Sequence, residues 1–198
     1  MDQVTNIFST PIYHITAKKE EESNIEHLRK WTLHWEKKYK GIEKSNRMNG
    51  YHSVPTTNFD VIPYYNLLVN KIQSLPLSSG VQFTFLDWWI NIQHRGDYNV
   101  SHNHPGSDLS FIWYLTDNYN SLIFNKFEYE MTRGRLFQAF RNSDNNPFNL
   151  EWTWKCGAGD LLIFPSDLLH QTTIHMHKKE RICIAGNLLI STNRETLP

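Results

Sequence analysis

Apolar and polar positions follow two different periods along the chain, and the change falls near residue 80. Before it, Ile25, Leu28, Trp31 and Trp35 recur at helical spacing, as residues on one face of a helix do. Ser23 followed by Glu26 has the form of a capping box, so an amphipathic helix is predicted from Ser23 up to Gly41. A second helix is predicted from about Phe59 to Leu75, with Ile62, Leu67, Leu68 and Ile72 inward, stopping before Pro76 because the residue ahead of a proline resists the helical conformation. Asn6 to Ile15 mixes aromatic and β-branched residues around Pro11 and reads as an edge strand broken at the proline. Lys44 to Thr57, rich in Gly, Asn, Ser and Pro, reads as a loop reaching over a pocket mouth.

After the Ser78-Ser79-Gly80 turn the period shortens to that of strands. Val81 to Gln93 reads as one long strand in which Phe83, Phe85, Asp87, Trp89 and Asn91 share a face. Asp87 and Asn91 are polar on an aromatic face, as satisfied core groups or as pocket groups. Further strands are expected near 108–116, 121–129, 134–140, 149–155, 160–164, 170–175 and 181–190, separated by turns such as Ser143 to Pro147 and Gly157 to Asp160. So many short strands at close spacing imply a sandwich or jelly roll. There is no internal repeat.

Composition narrows the classes. A chain of 198 residues is long enough for one domain with its own core; residues 1–80 read as an N-terminal strand with helical support and 81–198 as the β core. The 7 Trp, 9 Tyr and 11 Phe favour aromatic-walled pockets over a small helical bundle. Formal charge is zero, which removes the basic footprint of a nucleic-acid binder. The start has no signal-peptide pattern and no run approaches a membrane span, so a cytoplasmic location and no membrane partner are expected. Cys156 and Cys183 are too few for a disulfide framework and are expected to be reduced. A homodimer is compatible with this reading.

Histidine spacing carries the chemistry. In an extended segment His102 and His104 project to one side, about 7 Å apart along the backbone, and two imidazoles so placed can hold one ion. His170 follows the apolar run Leu161 to Phe164 and is the best placed third ligand. Three ligands on one side leave open positions, which suits Fe(II) and oxygen, although the usual set there is two histidines and a carboxylate. Asp108, four residues beyond His104, is the alternative third ligand if its loop folds back. Three histidines also suit zinc, so a cupin-like metal- or ligand-binding module without oxygenase activity is the alternative reading. His175 and His177, beside Lys178 and Lys179, read as a solvated hairpin turn.

The run Gly159 to Ser166, then His170, then Arg181 to Asn187, together with His102-Asn103-His104-Pro105-Gly106-Ser107, Trp89-Ile90-Asn91, Ser110 to Leu115 and Phe8 to Tyr13, resembles the 2-oxoglutarate/Fe(II)-dependent oxygenase superfamily. The resemblance is strongest to a prolyl-hydroxylase-like branch found in marine bacteria and cyanophages. It implies a double-stranded β-helix, Fe(II) with 2-oxoglutarate as cosubstrate, and hydroxylation of a peptide residue or small metabolite with release of succinate and CO2. It also implies His102 and His170 as metal ligands, with His104 standing where relatives carry aspartate. Arg181 corresponds to the arginine that holds the distal carboxylate of 2-oxoglutarate, aided by Tyr114, with Asn91 lining the pocket. Cys183 stands where many relatives have Ser or Thr, which weakens one hydrogen bond to the cosubstrate. Phe111 replaces a usual glycine and is expected to narrow the passage there.

Overall fold

The computed structural model describes residues 10–76, 80–125 and 151–192. The predicted strand at 134–140, the Ser143 to Pro147 turn, Asn6 to Ser9 and Ser78-Ser79 lie outside the described residues. Eleven strands and two helices appear among them. The strands are β1 (Tyr13–Ile15), β2 (Asn46–Arg47), β3 (Tyr51–His52), β4 (Val81–Gln93), β5 (Tyr98–Asn99), β6 (Leu109–Tyr114), β7 (Leu122–Asn125), β8 (Glu151–Trp154), β9 (Leu161–Pro165), β10 (Leu169–Thr172) and β11 (Arg181–Thr192). The helices are α1 (Glu22–Lys38) and α2 (Tyr65–Gln73). Six strands in the order β1-β9-β6-β11-β4-β3 form the larger antiparallel sheet, β10-β7-β8 form a smaller one, and β2 pairs with β5.

Strand alternation sorts the larger sheet into two apolar faces. Trp88, Ile90 and Ile92 of β4, Phe111 and Trp113 of β6, Leu161 and Ile163 of β9 and Ile182 and Ile184 of β11 join Leu28, Leu68 and Ile72 of the helices in one buried cluster. The intervening residues Trp89, Ile112, Tyr114, Leu162, Phe164 and Ala185 pack with Leu122 and Phe124 of the small sheet in a second. The helices therefore cover the outer face. The inner face looks onto the small sheet, and the functional side chains lie between them.

The face predicted for Phe83, Phe85, Asp87, Trp89 and Asn91 is divided. Asn187 of β11 pairs with Asp87, but Leu188 pairs with Phe85, leaving Leu86 as an extra residue. A bulge of this kind reverses the alternation beyond it. Phe83 and Phe85 therefore pack on the helix side while Trp89 faces inward, and Asp87, Trp89 and Asn91 line the cavity.

Other boundaries shift for local reasons. Helix α1 begins at Glu22, ahead of the predicted capping box, because a 3-10 turn over Lys19–Glu21 leads into it, with Glu21 accepting the Lys18 backbone N–H. Residues 59–75 divide into a 3-10 turn at Phe59–Val61 and the shorter α2. Within the predicted loop 44–57, Tyr51 and His52 pair with Ile92 and Asn91, adding an edge strand to the sheet. A buried ion pair, Lys71 Nζ to Glu21 Oε2 at 2.8 Å, ties α2 to the turn before α1.

Phe111 does not narrow the cavity with its side chain, as its sequence position suggested. Its ring lies in the helix-side core, in the space that Gly186 leaves free: a Cβ at 186 would stand 2.6 Å from Phe111 Cε1 and Cζ and against the Asp87 carbonyl oxygen. Gly186→Ala is therefore expected to cost about 1–3 kcal/mol through overpacking, lowering the melting temperature by roughly 2–4 °C per kcal/mol for a chain of this size. An unchanged melting temperature in a thermal scan would refute this account of the pairing.

Candidate active site

His102 follows β5 in extended conformation, outside any regular strand, and makes a single bridge to His170 of β10. The two main chains exchange both hydrogen bonds, His102 N to His170 O at 3.0 Å and His170 N to His102 O at 2.9 Å. The next inward residue, His104, donates its N–H to Ser166 O at 2.8 Å. Pro105 and Gly106, the latter at φ +94°, then turn the chain into β6, a φ that glycine adopts without steric penalty.

Candidate ligand atoms of His102, His104 and His170 all lie within 4.8 Å of one another. Nε2 of His104 and Nε2 of His170 are 3.3 Å apart, close to the ~3 Å expected of neighbouring positions on an ion with bonds of about 2.1 Å. Hydrogen bonding fixes two of the rings: Nδ1–H of His102 donates to Val100 O at 2.7 Å, and Nδ1–H of His170 donates to Leu168 O at 2.9 Å. Each then presents an Nε2 lone pair, the arrangement that outer contacts give to metal-bound imidazoles. His104 is held differently, stacked between Trp89 (5.3 Å) and His170 (5.1 Å). Burial pushes the pKa of His104 down to about 4 and that of His170 to about 3, and lowers that of His102. Three neutral imidazoles whose ring nitrogens converge on one point, two of them with Nε2 lone pairs set by their outer hydrogen bonds, fit a metal ion.

Asp108, the alternative ligand, is not in this group. Its carboxylate accepts the Ile190 backbone N–H at 2.7 Å, and its own N–H is committed to Leu188 O, so the loop does not fold back. A second group of ligand-type atoms, on His14, Cys156 and Asp160, is occupied by hydrogen bonds that tie β1 to the turn before β9: Asp160 accepts from His14 Nε2, Ala17 N and Gly157 N. His175 is not solvated as expected. It is 1 % exposed, with Nε2–H donating to Lys179 O at 2.6 Å, while His177 stacks on Tyr119.

Arg181 opens β11 and is buried. Nε–H donates to Gln93 Oε1 at 2.6 Å and Nη2–H to Thr173 O at 3.1 Å. A guanidinium has five N–H donors, so three remain without a partner among the described residues, and Arg181 takes part in none of the ion pairs found there. Burial lowers its pKa to about 10, leaving it cationic at neutral pH. A buried cation held only by neutral groups is a site for an anion. Tyr114, Asn91 and Cys183 line the same cavity. Burial raises the Tyr114 phenol well above its ordinary range and the Cys183 thiol to about 12, so both stay protonated. Asn91 Oδ1 and Ser121 Oγ, also on this wall, are buried without a hydrogen-bond partner among the described residues.

Of the eight candidate site residues named from the sequence, all but Asp108 thus border one cavity of about 500 Å³. Sequence reasoning missed Gln93, which orients Arg181 and also bonds Asn99 and Thr172. Its signal was present, since it continues the inward row Asp87, Trp89, Asn91. Also missed was His52, stacked 5.5 Å from Trp89 and held near pKa 4 by burial. No local pattern marks it.

His52, His104 and His170 ionise far below the value of about 6.5 that they have in an unfolded chain, so unfolding takes up protons between the two values. Stability of the metal-free protein is therefore full above about pH 6.5 and declines toward pH 4, by about 1.4 kcal/mol per unit for each imidazole concerned. Thermal scans from pH 7 to pH 5 test this. A flat profile would mean that the rings are protonated in the fold.

A family model described as "Putative 2OG-Fe(II) oxygenase" matches residues 87–187, just over half of the chain. Among solved structures, the chain resembles the non-heme alpha-ketoglutarate-dependent carbocyclase SnoK of nogalamycin biosynthesis (TM-score 0.59, 11% identity, 93% of this chain and 82% of that one). It also resembles HygX from Streptomyces hygroscopicus with nickel and 2-oxoglutarate bound (TM-score 0.57, 11% identity, 90% and 82%) and a Pseudomonas putida prolyl-4-hydroxylase (TM-score 0.54, 11% identity, 91% and 93%). At such identities the likeness is one of fold, the double-stranded β-helix. No curated protein matched by sequence.

Proposed function

The chain belongs to the 2OG-Fe(II) oxygenase family, enzymes that use Fe(II) and 2-oxoglutarate, and on that premise we propose that it hydroxylates a C–H bond of a small molecule or a single peptide residue. The observation that carries this reading is the pairing, in one cavity, of three convergent imidazoles with a buried guanidinium that lacks a carboxylate partner among the described residues.

In this reading His102, His104 and His170 would hold the metal at the wall of the cavity. Bound there, iron with 2-oxoglutarate supplies the oxidising chemistry: one oxygen atom of O2 ends in succinate as CO2 is lost, and the other enters the substrate. Arg181, oriented by Gln93, receives the distal carboxylate of the cosubstrate through paired charge-assisted hydrogen bonds. Tyr114 stands beside it as a protonated donor, while Asn91 and Cys183 form the intervening wall. Trp89, Ile112, Leu122 and Phe164 supply the apolar lining that excludes water. The cavity volume accommodates 2-oxoglutarate with a small metabolite or one side chain.

The test is conversion of 2-oxoglutarate to succinate by purified protein with Fe(II) in air, across a panel of peptides and small metabolites. Turnover that requires Fe(II) and stops on chelation supports the reading. No turnover with any of them, and retention of a tightly bound zinc, would count against it.

A further inference from the structure

The inner face of the larger sheet is a ladder of paired side chains. Along β11, Arg181 stands opposite Gln93, Cys183 opposite Asn91 and Tyr114, Ala185 opposite Trp89 and Ile112, and Asn187 opposite Asp87 and Ser110. Trp89 stacks on His104, which sets the imidazole group over the third of these four rungs. The diacid assigned above occupies the rungs toward Arg181. The fourth rung lies on the other side, and it contains Asp87, the one acidic side chain of the cavity lining among the described residues.

That carboxylate is half-buried, fixed and without a cation among the described residues. Ser110 Oγ donates to Asn187 Oδ1 at 2.9 Å, which turns the amide so that Asn187 Nδ2–H donates to Asp87 Oδ1 at 2.8 Å. Ser110 also bonds Ser166 at 2.9 Å, and the Ser166 carbonyl receives the His104 N–H. The side chain is thereby held at a set distance from the main chain that carries His104. Among the described residues Asp87 takes part in no ion pair. Lys44, which also lines the cavity, lies toward His52, on which its charge acts. The bulge at Leu86 ends the inward row at Asp87, and bulges beside active sites commonly aim a side chain in this way.

We propose that Asp87 is a substrate-recognition residue that binds a protonated amine, on the side of the metal opposite Arg181. This rests on the metal and cosubstrate assignment made above. A carboxylate here repels a second anion, so it also imposes one orientation on 2-oxoglutarate, while an ammonium group gains both the charge and a hydrogen bond to Asp87 Oδ2. The substrate class is therefore an amine-bearing metabolite or a basic residue, and its reacting carbon lies within a few bonds of the nitrogen.

The experiment uses the full chain loaded with Ni(II) and 2-oxoglutarate, nickel standing in as a metal that does not turn over. Calorimetry compares amines with their hydroxyl counterparts: n-hexylamine with 1-hexanol, glucosamine with glucose, and Nα-acetyl-lysine amide with the corresponding 6-hydroxynorleucine amide. At least one amine is expected to bind about tenfold or more tightly than its counterpart. Asp87→Asn, which still accepts from Asn187, should erase that preference while 2-oxoglutarate affinity stays within about twofold, and Asp87→Glu should retain part of it. The proposal is overturned if no amine is preferred, or if the preference survives in Asp87→Asn with its melting temperature unchanged. Failure of 2-oxoglutarate to bind the nickel-loaded wild type would overturn the cosubstrate assignment, and the proposal with it.

Discussion

Replacing His170 with alanine should lower Fe(II) affinity by more than about a hundredfold, beyond the cost of losing a mere outer-shell partner, and reduce 2-oxoglutarate turnover to background. Of the three imidazoles His170 is the most buried, and its Nε2 faces that of His104 at 3.3 Å. Without it the two remaining ligands cannot enclose an ion from one side. The metal-free variant should melt near the metal-free wild type, because among the described residues the lost ring bonds only Leu168 O, next to it in the chain, and His104 Nε2 at 3.3 Å. Saturating Fe(II) or Mn(II) should raise the melting temperature of wild type, as a ligand at a hundred times its Kd adds about 2.7 kcal/mol, and leave His170→Ala unmoved. An equal rise in both would place the ion elsewhere.

Replacing Arg181 with alanine should weaken 2-oxoglutarate binding by about a hundredfold while metal affinity stays at the wild-type value. Two charge-assisted hydrogen bonds at about 1.5 kcal/mol each make that factor. The substitution also strands Gln93 Oε1 and Thr173 O, so some loss of stability accompanies it. A cosubstrate lacking the distal carboxylate separates the two effects: 2-oxobutyrate should bind wild type and variant alike, since it keeps the chelating 2-oxoacid and offers nothing to the guanidinium. Arg181→Lys should fall between, retaining charge without the planar fork. Loss of the metal in Arg181→Ala would show that the division of labour is drawn wrongly.

How much of this was legible in the chain differs from element to element. The apolar pattern foretold the long strand Val81–Gln93 and the last one near 181–190, which runs on to Thr192, because where the two pair deep in the sheet both faces are buried and the apolar run is continuous. It could not foretell Leu86: a bulge is set by what the partner strand offers, and Asn187 followed by Leu188 gives no local sign of it. The same blindness put Phe111 in the passage, whereas Gly186 on the neighbouring strand draws its ring to the helix side. His102 and His104 were found from spacing alone, yet the geometry that brings them together is one bridge and a Pro-Gly turn rather than a strand. His175 was misjudged because neighbouring lysines dominate a short window, while its actual surroundings come from Tyr119 and the Asp97 backbone, distant in sequence. The Arg181 environment needed Gln93 and Thr173, from two separate elements. Spacing names the chemistry, and long-range pairing decides which groups it touches.

The reciprocal main-chain bond between His102 and His170 makes these residues a clasp as well as a ligand pair. An ion drawing the two rings together also holds shut the seam where the segment after β5 meets β10, so loading and closure are one event. Amide hydrogens at 102 and 170 should exchange more slowly once the protein is charged with metal, and chelation should loosen that seam before it disturbs the helix-side core.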